Sequence, residues 1–404
     1  MAAFSECGIT KLRLPSTLTE IREGSFQRCE SLESVEFNNG IQSIRGHAFA
    51  YCGALQQVSI PSSVRVIQSS AFLDCSSLAE IHLSEGLVEI QHGAFANCNS
   101  VSTLSLPSTI QRFSGFESCS SLSDVQLNHG LISIAFQAFL QCESLGHIGI
   151  PLTVEGISEN VFAHCHSLTE MVLPEGLRMI GSDAFRGSQS LQRVSFPSTL
   201  EAIPHQLFAN CVSLVDVYLS EGQLSIGVRS FGGCVSMTAI SLPKSLKSIG
   251  VCAFTGCWVL LGVQIFSSAT KDLVIGRDAF DMCSSLINIR IPPSLEECSH
   301  NVFSDCNMLC GENGEEPDWV SLQERFAGLP VHDACYHSSH IRRMDDDLID
   351  TVHCCTQDSR EIMVDMFGMT PFHILSTSAQ LSVDVLEVLI HCRPSIKRIR
   401  MTGQ

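Results

Sequence analysis

Apolar and polar positions along this chain follow one phrase of about 23 residues, which recurs from its first line to about residue 309. Its anchor is a phenylalanine: Phe4, Phe26, Phe49, Phe72, Phe95, Phe116, Phe139, Phe162, Phe185, Phe208, Phe231, Phe254, Phe280 and Phe303. Three residues after each comes a cysteine, with Ser188 the exception. An apolar residue follows, such as Leu32, Leu55 or Leu78, and the unit then reads Leu-x-x-Val-x-Leu-Pro. The Val-x-Leu alternation is that of a short strand with one buried face, and Pro or Ser-Glu-Gly directly after it ends the strand. One such strand cannot bury its own face, so the copies must stack with strands parallel and phenylalanines in a spine. The expected architecture is a solenoid of about 14 coils with one short parallel strand each, roughly 60 Å long at ~4.8 Å between strands.

Within the repeat a second period shows. Turns after the strand alternate between Pro types (Pro15, Pro61, Pro107, Pro151, Pro197, Pro243) and Gly types (Gly40, Gly86, Gly130, Gly176, Gly222), a 46-residue pair. The outward strand position alternates as well. It is acidic in the Gly-type units (Glu80, Asp124, Glu170, Asp216) and Gln57, Thr103, His147 or Arg193 in the Pro-type units. On a strand face this draws an acidic column with a site every second coil, about 10 Å apart. Two readings fit it. Duplication of a two-coil unit copied the residues, and interleaving keeps like charges off adjacent strands. Alternatively the column is a binding strip for a basic or hydrogen-bonding protein partner, with Glu36, His82, Gln126 and Tyr218 beside it and Tyr218 as the aromatic anchor.

The phrase Ala-Phe-x-x-Cys-x-x-Leu-x-x-Val-x-Leu-Pro-x-x-Leu-x-x-Ile, as in Ala94-Phe95-Ala96-Asn97-Cys98 through Leu104-Ser105-Leu106-Pro107 to Ile110, resembles the BspA-type leucine-rich repeat. The resemblance covers residues 1–309. It implies an α/β-type, curved leucine-rich repeat solenoid that binds proteins or surfaces, and the family has no catalytic residues to carry over. Two units depart from the pattern: the spacing from Phe95 to Phe116 is short, with Gly115 in place of Ala, and that from Phe254 to Phe280 is long. A local irregularity is expected at each.

Composition narrows the function. The 404 residues carry a net charge of −18, split as −11 over residues 1–309 and −7 over 310–404, which does not suit a phosphate backbone, so no nucleic-acid partner is expected. The four bases Arg393, Lys397, Arg398 and Arg400 read as a solvated last turn. The start lacks a signal peptide's basic-then-apolar run, no Asn-x-Ser/Thr sequon occurs, and the most apolar stretch, Trp258 to Phe266, is far short of the ~20 residues that span a membrane. A cytoplasmic location is the expectation, with a cell-surface adhesin of the BspA type as the alternative. Of the 20 cysteines, 13 hold the one repeat position. A column of single thiols is the wrong shape for tetrahedral zinc, so they read as reduced packing residues.

At Cys310-Gly311-Glu312-Asn313-Gly314 the composition changes. Residues 310–328 read as a linker and a capping helix, Trp319 to Phe326, started by Asp318. Residues 329–404 read as a small all-α region. Gly368-Met369-Thr370-Pro371-Phe372-His373 resembles the ankyrin opening, with Leu329-Pro330-Val331-His332 as a first copy and Val383 to Cys392 as a partner helix. His332, Cys335, His337, His340, His353, Cys354 and Cys355 crowd together without the spacing of a zinc finger. Asp345-Asp346-Asp347 lacks the glycine and distal glutamate of a calcium loop. With no phosphate loop or nucleophile elbow, neither cofactor nor enzymatic activity is expected. A zinc-dependent sensor or enzyme in the tail is the remote third reading.

Overall fold

The computed structural model describes residues 4–265, 273–290, 301–307 and 309. They form a parallel β-solenoid in which most coils lay down two strands. The front row holds β1 (Lys11–Arg13), β3 (Ser34–Glu36), β5 (Gln57–Ile60), β7 (Glu80–Leu83), β9 (Thr103–Ser105), β11 (Asp124–Gln126), β14 (Glu170–Val172), β16 (Arg193–Ser195), β18 (Asp216–Tyr218), β20 (Ala239–Leu242), β22 (Gly262–Ile265) and β24 (Asn288–Arg290). The back row holds β2 (Glu20–Ile21), β4 (Ser43–Ile44), β6 (Val66–Ile67), β8 (Glu89–Ile90), β10 (Arg112–Phe113), β12 (Ser133–Ile134), β13 (Gly156–Ile157), β15 (Met179–Ile180), β17 (Ala202–Ile203), β19 (Ser225–Ile226), β21 (Ser248–Ile249) and β23 (Val274–Ile275).

Three expectations need correction. The coil carries two strands, not one: the back strand is two residues long, too short for an alternating pattern to register in the sequence. Among the described residues twelve back-row strands mark eleven full turns, where about 14 coils were expected. The described residues hold strands and turns but no helix, so the α/β character is absent from them. The linker, capping helix and ankyrin-like region lie outside the described residues.

Pairing is parallel and in phase with the repeat, as in Gln57↔Glu80 and Glu170↔Arg193↔Asp216 in front and Ser43↔Val66 behind. The back row runs unbroken from β2 to β15. The front row has no strand in the coil of Gly146 to Ile150, where two glycines leave little side chain to hold one.

Phenylalanines form the expected spine. Rings from Phe4 to Phe116 stack in sequence with centroids 5.0–5.5 Å apart, and a second run extends from Phe139 to Phe303 at 5.2–5.7 Å. From Phe26 onward these rings are buried. The chain turns around them through left-handed residues two before and two after the ring, such as Ser70 and Asp74 (φ 58° and 57°) about Phe72. This strained backbone is held by bonds to the next coil: Ser70, Phe72 and Asp74 N–H donate to the carbonyls of His92, Ala94 and Ala96 at 3.1, 2.7 and 2.8 Å.

The cysteine column has a hydrogen-bonding reason. From Cys29 onward each thiol of the column donates to the phenylalanine carbonyl of the preceding coil, as Cys52 to Phe26 at 3.2 Å and Cys98 to Phe72 at 3.3 Å. Ser188, the exception, makes the same bond to Phe162 at 2.8 Å. A small donor is what the position requires.

Turn alternation is also a matched pair. Glu85 of a Gly-type turn accepts from the N–H and hydroxyl of Ser108 in the next Pro-type turn, while Thr109 donates to Leu87 and accepts from Gly86 N–H. Glu175 and Gly176 do the same with Ser198 and Thr199. Gly86 cannot be replaced freely: its φ is +104° and an added Cβ would meet the Ser62 carbonyl at 2.5 Å.

Candidate functional site

The front row presents two outward columns, because alternate strand residues face opposite ways. One column runs Lys11, Ser34, Gln57, Glu80, Thr103, Asp124, His147, Glu170, Arg193, Asp216; the other runs Arg13, Glu36, Ser59, His82, Ser105, Gln126, Gly149, Val172, Ser195, Tyr218. Glu80, Asp124 and Glu170 are exposed and fall in the first column at every second coil, as the sequence implied.

The other three candidates stand differently. Asp216 is half-buried and paired with Arg193 on the adjacent strand (Nε to Oδ2, 3.2 Å). Glu36 lies in the second column and pairs with Arg13 at 3.4 Å, both side chains largely in solvent. Tyr218 is half-buried, so it is not the exposed anchor expected of it. Burial deepens along this face: outward residues apart from Ser34 are exposed up to Arg193, half-buried at β18 and β20, and buried at Gly262 and Gln264 of β22. The six candidates therefore divide into a central strip of three acids, two acids held in flanking ion pairs, and the half-buried Tyr218. His82 sits 3.7 Å from Glu80 within the strip. Sequence reasoning missed Val172, an apolar side chain 60% exposed beside Gly149, because its position reads as one more outward strand residue.

A second feature lies on the phenylalanine side, where the short unit falls. The two residues missing between Phe113 and Phe116 are those that elsewhere carry one inter-coil hydrogen bond. Their loss leaves Gly93 N–H without an acceptor and the Phe136 carbonyl without a donor. Side chains stand at both places. The Glu117 carboxylate lies against Gly93, and the buried Ser114 hydroxyl donates to Phe136 at 2.7 Å. Phe113 stands where other coils have isoleucine and bridges the two stacked runs, 6.3 Å from Phe116 and 5.2 Å from Phe139.

Burial raises the Glu117 carboxyl pKa, against the opposing pull of its backbone partners and of His92, whose Nδ1 is 3.7 Å from Oε1. The His92 ring also packs on Phe136 at 5.7 Å. Burial likewise pushes the thiols up, to about 12 for Cys119, Cys165 and Cys211. Thiols so protonated are poor nucleophiles and metal ligands. The described cysteines are all free.

Among the described residues no group of three or more His, Cys, Asp or Glu is placed to hold a metal ion, and no helix is long and apolar enough to cross a membrane. The His/Cys cluster of 332–355 and the acidic run 345–347 lie outside the described residues.

The sequence matches the family described as BspA type leucine rich repeat region, in six copies, over residues 1–115, 112–215 and 201–311. Among solved structures, a leucine-rich repeat protein from Bacteroides ovatus ATCC 8483 is similar at TM-score 0.62 and 25% identity, over 75% of this chain and 84% of that one. A leucine rich cell surface protein from Faecalibacterium prausnitzii A2-165 gives 24% identity over 74% of this chain and 91% of that one, at TM-score 0.46. The pneumococcal vaccine antigen PcpA gives 19% identity over 70% and 68%, at TM-score 0.45. No curated protein matches the chain in sequence.

Proposed function

The chain belongs to the BspA-type leucine-rich repeat family, and from that premise we propose that it is a non-enzymatic binding scaffold whose front strand row is the surface that engages a protein partner. The observation that carries this reading is the front row itself. From Ser34 to Val172 it offers polar and acidic side chains on rigid, parallel strands, mostly exposed and with few internal partners. A solenoid face of this kind is an extended binding surface whose side chains are already positioned, which lowers the ordering cost of association. The matched turn pairs account for the turn alternation, but they do not involve the outward columns, which leaves the alternation of acids available for recognition. An intracellular scaffold and a cell-surface adhesin would both use this same face.

The test places neutral bulk on the face of the full chain: Ser59→Gln, Ser105→Gln and Gly149→Gln together, compared with Met179→Gln and Ala202→Gln on the exposed back row. Proximity labelling or pull-down from the native source should lose specific partners with the front-row variant and keep them with the back-row variant. Partners that persist with the front row blocked would end the reading.

A further inference from the structure

The strand face has a dimension that selects among partner chemistries. Between the Arg13–Glu36 pair at one end and the Arg193–Asp216 pair at the other, no Lys or Arg occupies an outward front-row position. Three exposed acids stand in that interval, Glu80, Asp124 and Glu170, with no Lys or Arg paired to them and only His82 near Glu80. They fall two coils apart, and their neighbours Gln57, Thr103 and His147 are uncharged or weakly basic. At ~4.8 Å between parallel strands, successive acids are about 9.6 Å apart along the stack.

Few polypeptide conformations present a side chain on one face at that interval. An extended strand repeats its face every two residues, about 6.6 Å. An α-helix returns to its face after seven residues, about 10.5 Å, and so drifts by almost an ångström at each acid. A polyproline II helix has three residues per turn and a rise of ~3.1 Å, so residues i, i+3 and i+6 line one face about 9.3 Å apart. The mismatch is then about 0.3 Å per step, within the reach of a flexible lysine or arginine. Such a helix also makes no internal backbone hydrogen bonds, leaving its carbonyls and N–H groups for the second column, where Ser59, His82, Ser105 and Gln126 stand.

We propose that the partner segment read by this face is a basic polyproline II stretch carrying a cation at every third residue, laid along the stack with its cations on Glu80, Asp124 and Glu170. This inference rests on the front row being the binding surface. Arg13 and Arg193 bound the strip electrostatically and set a length of about three cations. Val172, exposed beside Gly149, offers an apolar contact for a proline ring next to the last acid.

The experiment uses the full chain and two fluorescent synthetic peptides of identical composition and charge: five Lys-Pro-Pro triplets, and a block isomer of five lysines followed by ten prolines. Fluorescence anisotropy at ~0.15 M salt, where weakly placed surface charges are screened, compares them. The triplet peptide is expected to bind at least tenfold more tightly than the block isomer. The triple variant Glu80→Gln, Asp124→Asn, Glu170→Gln should bring the two peptides to the same affinity, and Thr103→Lys, which sets a cation inside the strip, should weaken the triplet peptide alone. Circular dichroism and melting confirm that the variants fold. Equal binding of both peptides, no binding of either, or indifference to the triple variant overturns the proposal. If the peptides fail while native partners are still lost on blocking the front row with glutamines, only the partner chemistry is wrong; if native partners survive that block, the surface itself was misassigned.

Discussion

The short coil offers the sharpest test of how this solenoid is held together. In regular coils the N–H two residues before each phenylalanine donates to the next coil, and in the short one Ser114 supplies the donor that Phe136 would otherwise lack, at 2.7 Å and 3% exposure. Ser114→Ala removes that donor and leaves the part-buried Phe136 carbonyl without it. A typical hydrogen bond is worth about 1 kcal/mol net, and a stranded buried acceptor costs about 1–3 kcal/mol. Since Phe136 itself is 43% exposed and its carbonyl can reach some solvent on relaxing, the expected loss is about 2 kcal/mol. Global melting would blur this, because repeat arrays unfold piecewise. Native-state hydrogen exchange resolves it. Amides of the short coil and its neighbours should exchange about 30-fold faster, taking about 1.4 kcal/mol per factor of ten, while coils near Phe26 or Phe254 stay unchanged. Ser100→Ala deletes an exposed bond of the same 2.7 Å length, to Ser76, and should change exchange less than about threefold. If Ser114→Ala behaves like Ser100→Ala, the hydroxyl does not replace the missing backbone bond and the account of the short coil is wrong.

Glu117 gives a pH signature. Its folded pKa is raised, so the stability it contributes is fully present below its unfolded pKa and is lost as pH rises through the folded value; Glu117→Gln keeps a polar side chain against Gly93 and should be more stable than the wild type at pH 7, the gap closing toward pH 4 in urea titrations at each pH. In the thiol column, Cys98→Ser should be tolerated, as Ser188 already is, whereas Cys98→Ala forfeits the bond to Phe72 and should cost about 1 kcal/mol by denaturant midpoint. Iodoacetamide at pH 7.5, followed by peptide mass spectrometry, should modify the half-buried Cys7 and Cys252 well before any buried repeat cysteine; comparable rates would contradict the burial that raises those thiols. Gly86→Ala should destabilise by more than about 1 kcal/mol, against almost nothing for Gly149→Ala, whose added Cβ meets no atom within 4 Å.

What the sequence disclosed depended on how many residues voted for each feature. The phenylalanine spine, the cysteine column and the Val-x-Leu strand each recur at one register position in nearly every unit, so period alone reveals them. The back strand escaped because a two-residue element such as Glu20–Ile21 has no period of its own. Its ladder is made by neighbouring coils, a tertiary cause that local pattern does not encode. The left-handed positions escaped for a related reason: Ser70, Asp74 and His164 are not the glycines that advertise a positive φ, and only the inter-coil bonds hold them there. For the candidate site, the sequence placed the acids at the right interval but could not see which ones their neighbours had already claimed. Arg13 and Arg193 sit one coil from Glu36 and Asp216, and that adjacency exists only once strands are in register. The same register converts six candidates into a strip of three with defined ends. A solenoid translates sequence period directly into distance, so the two-coil period of the exposed acids becomes an interval of about 9.6 Å along the stack.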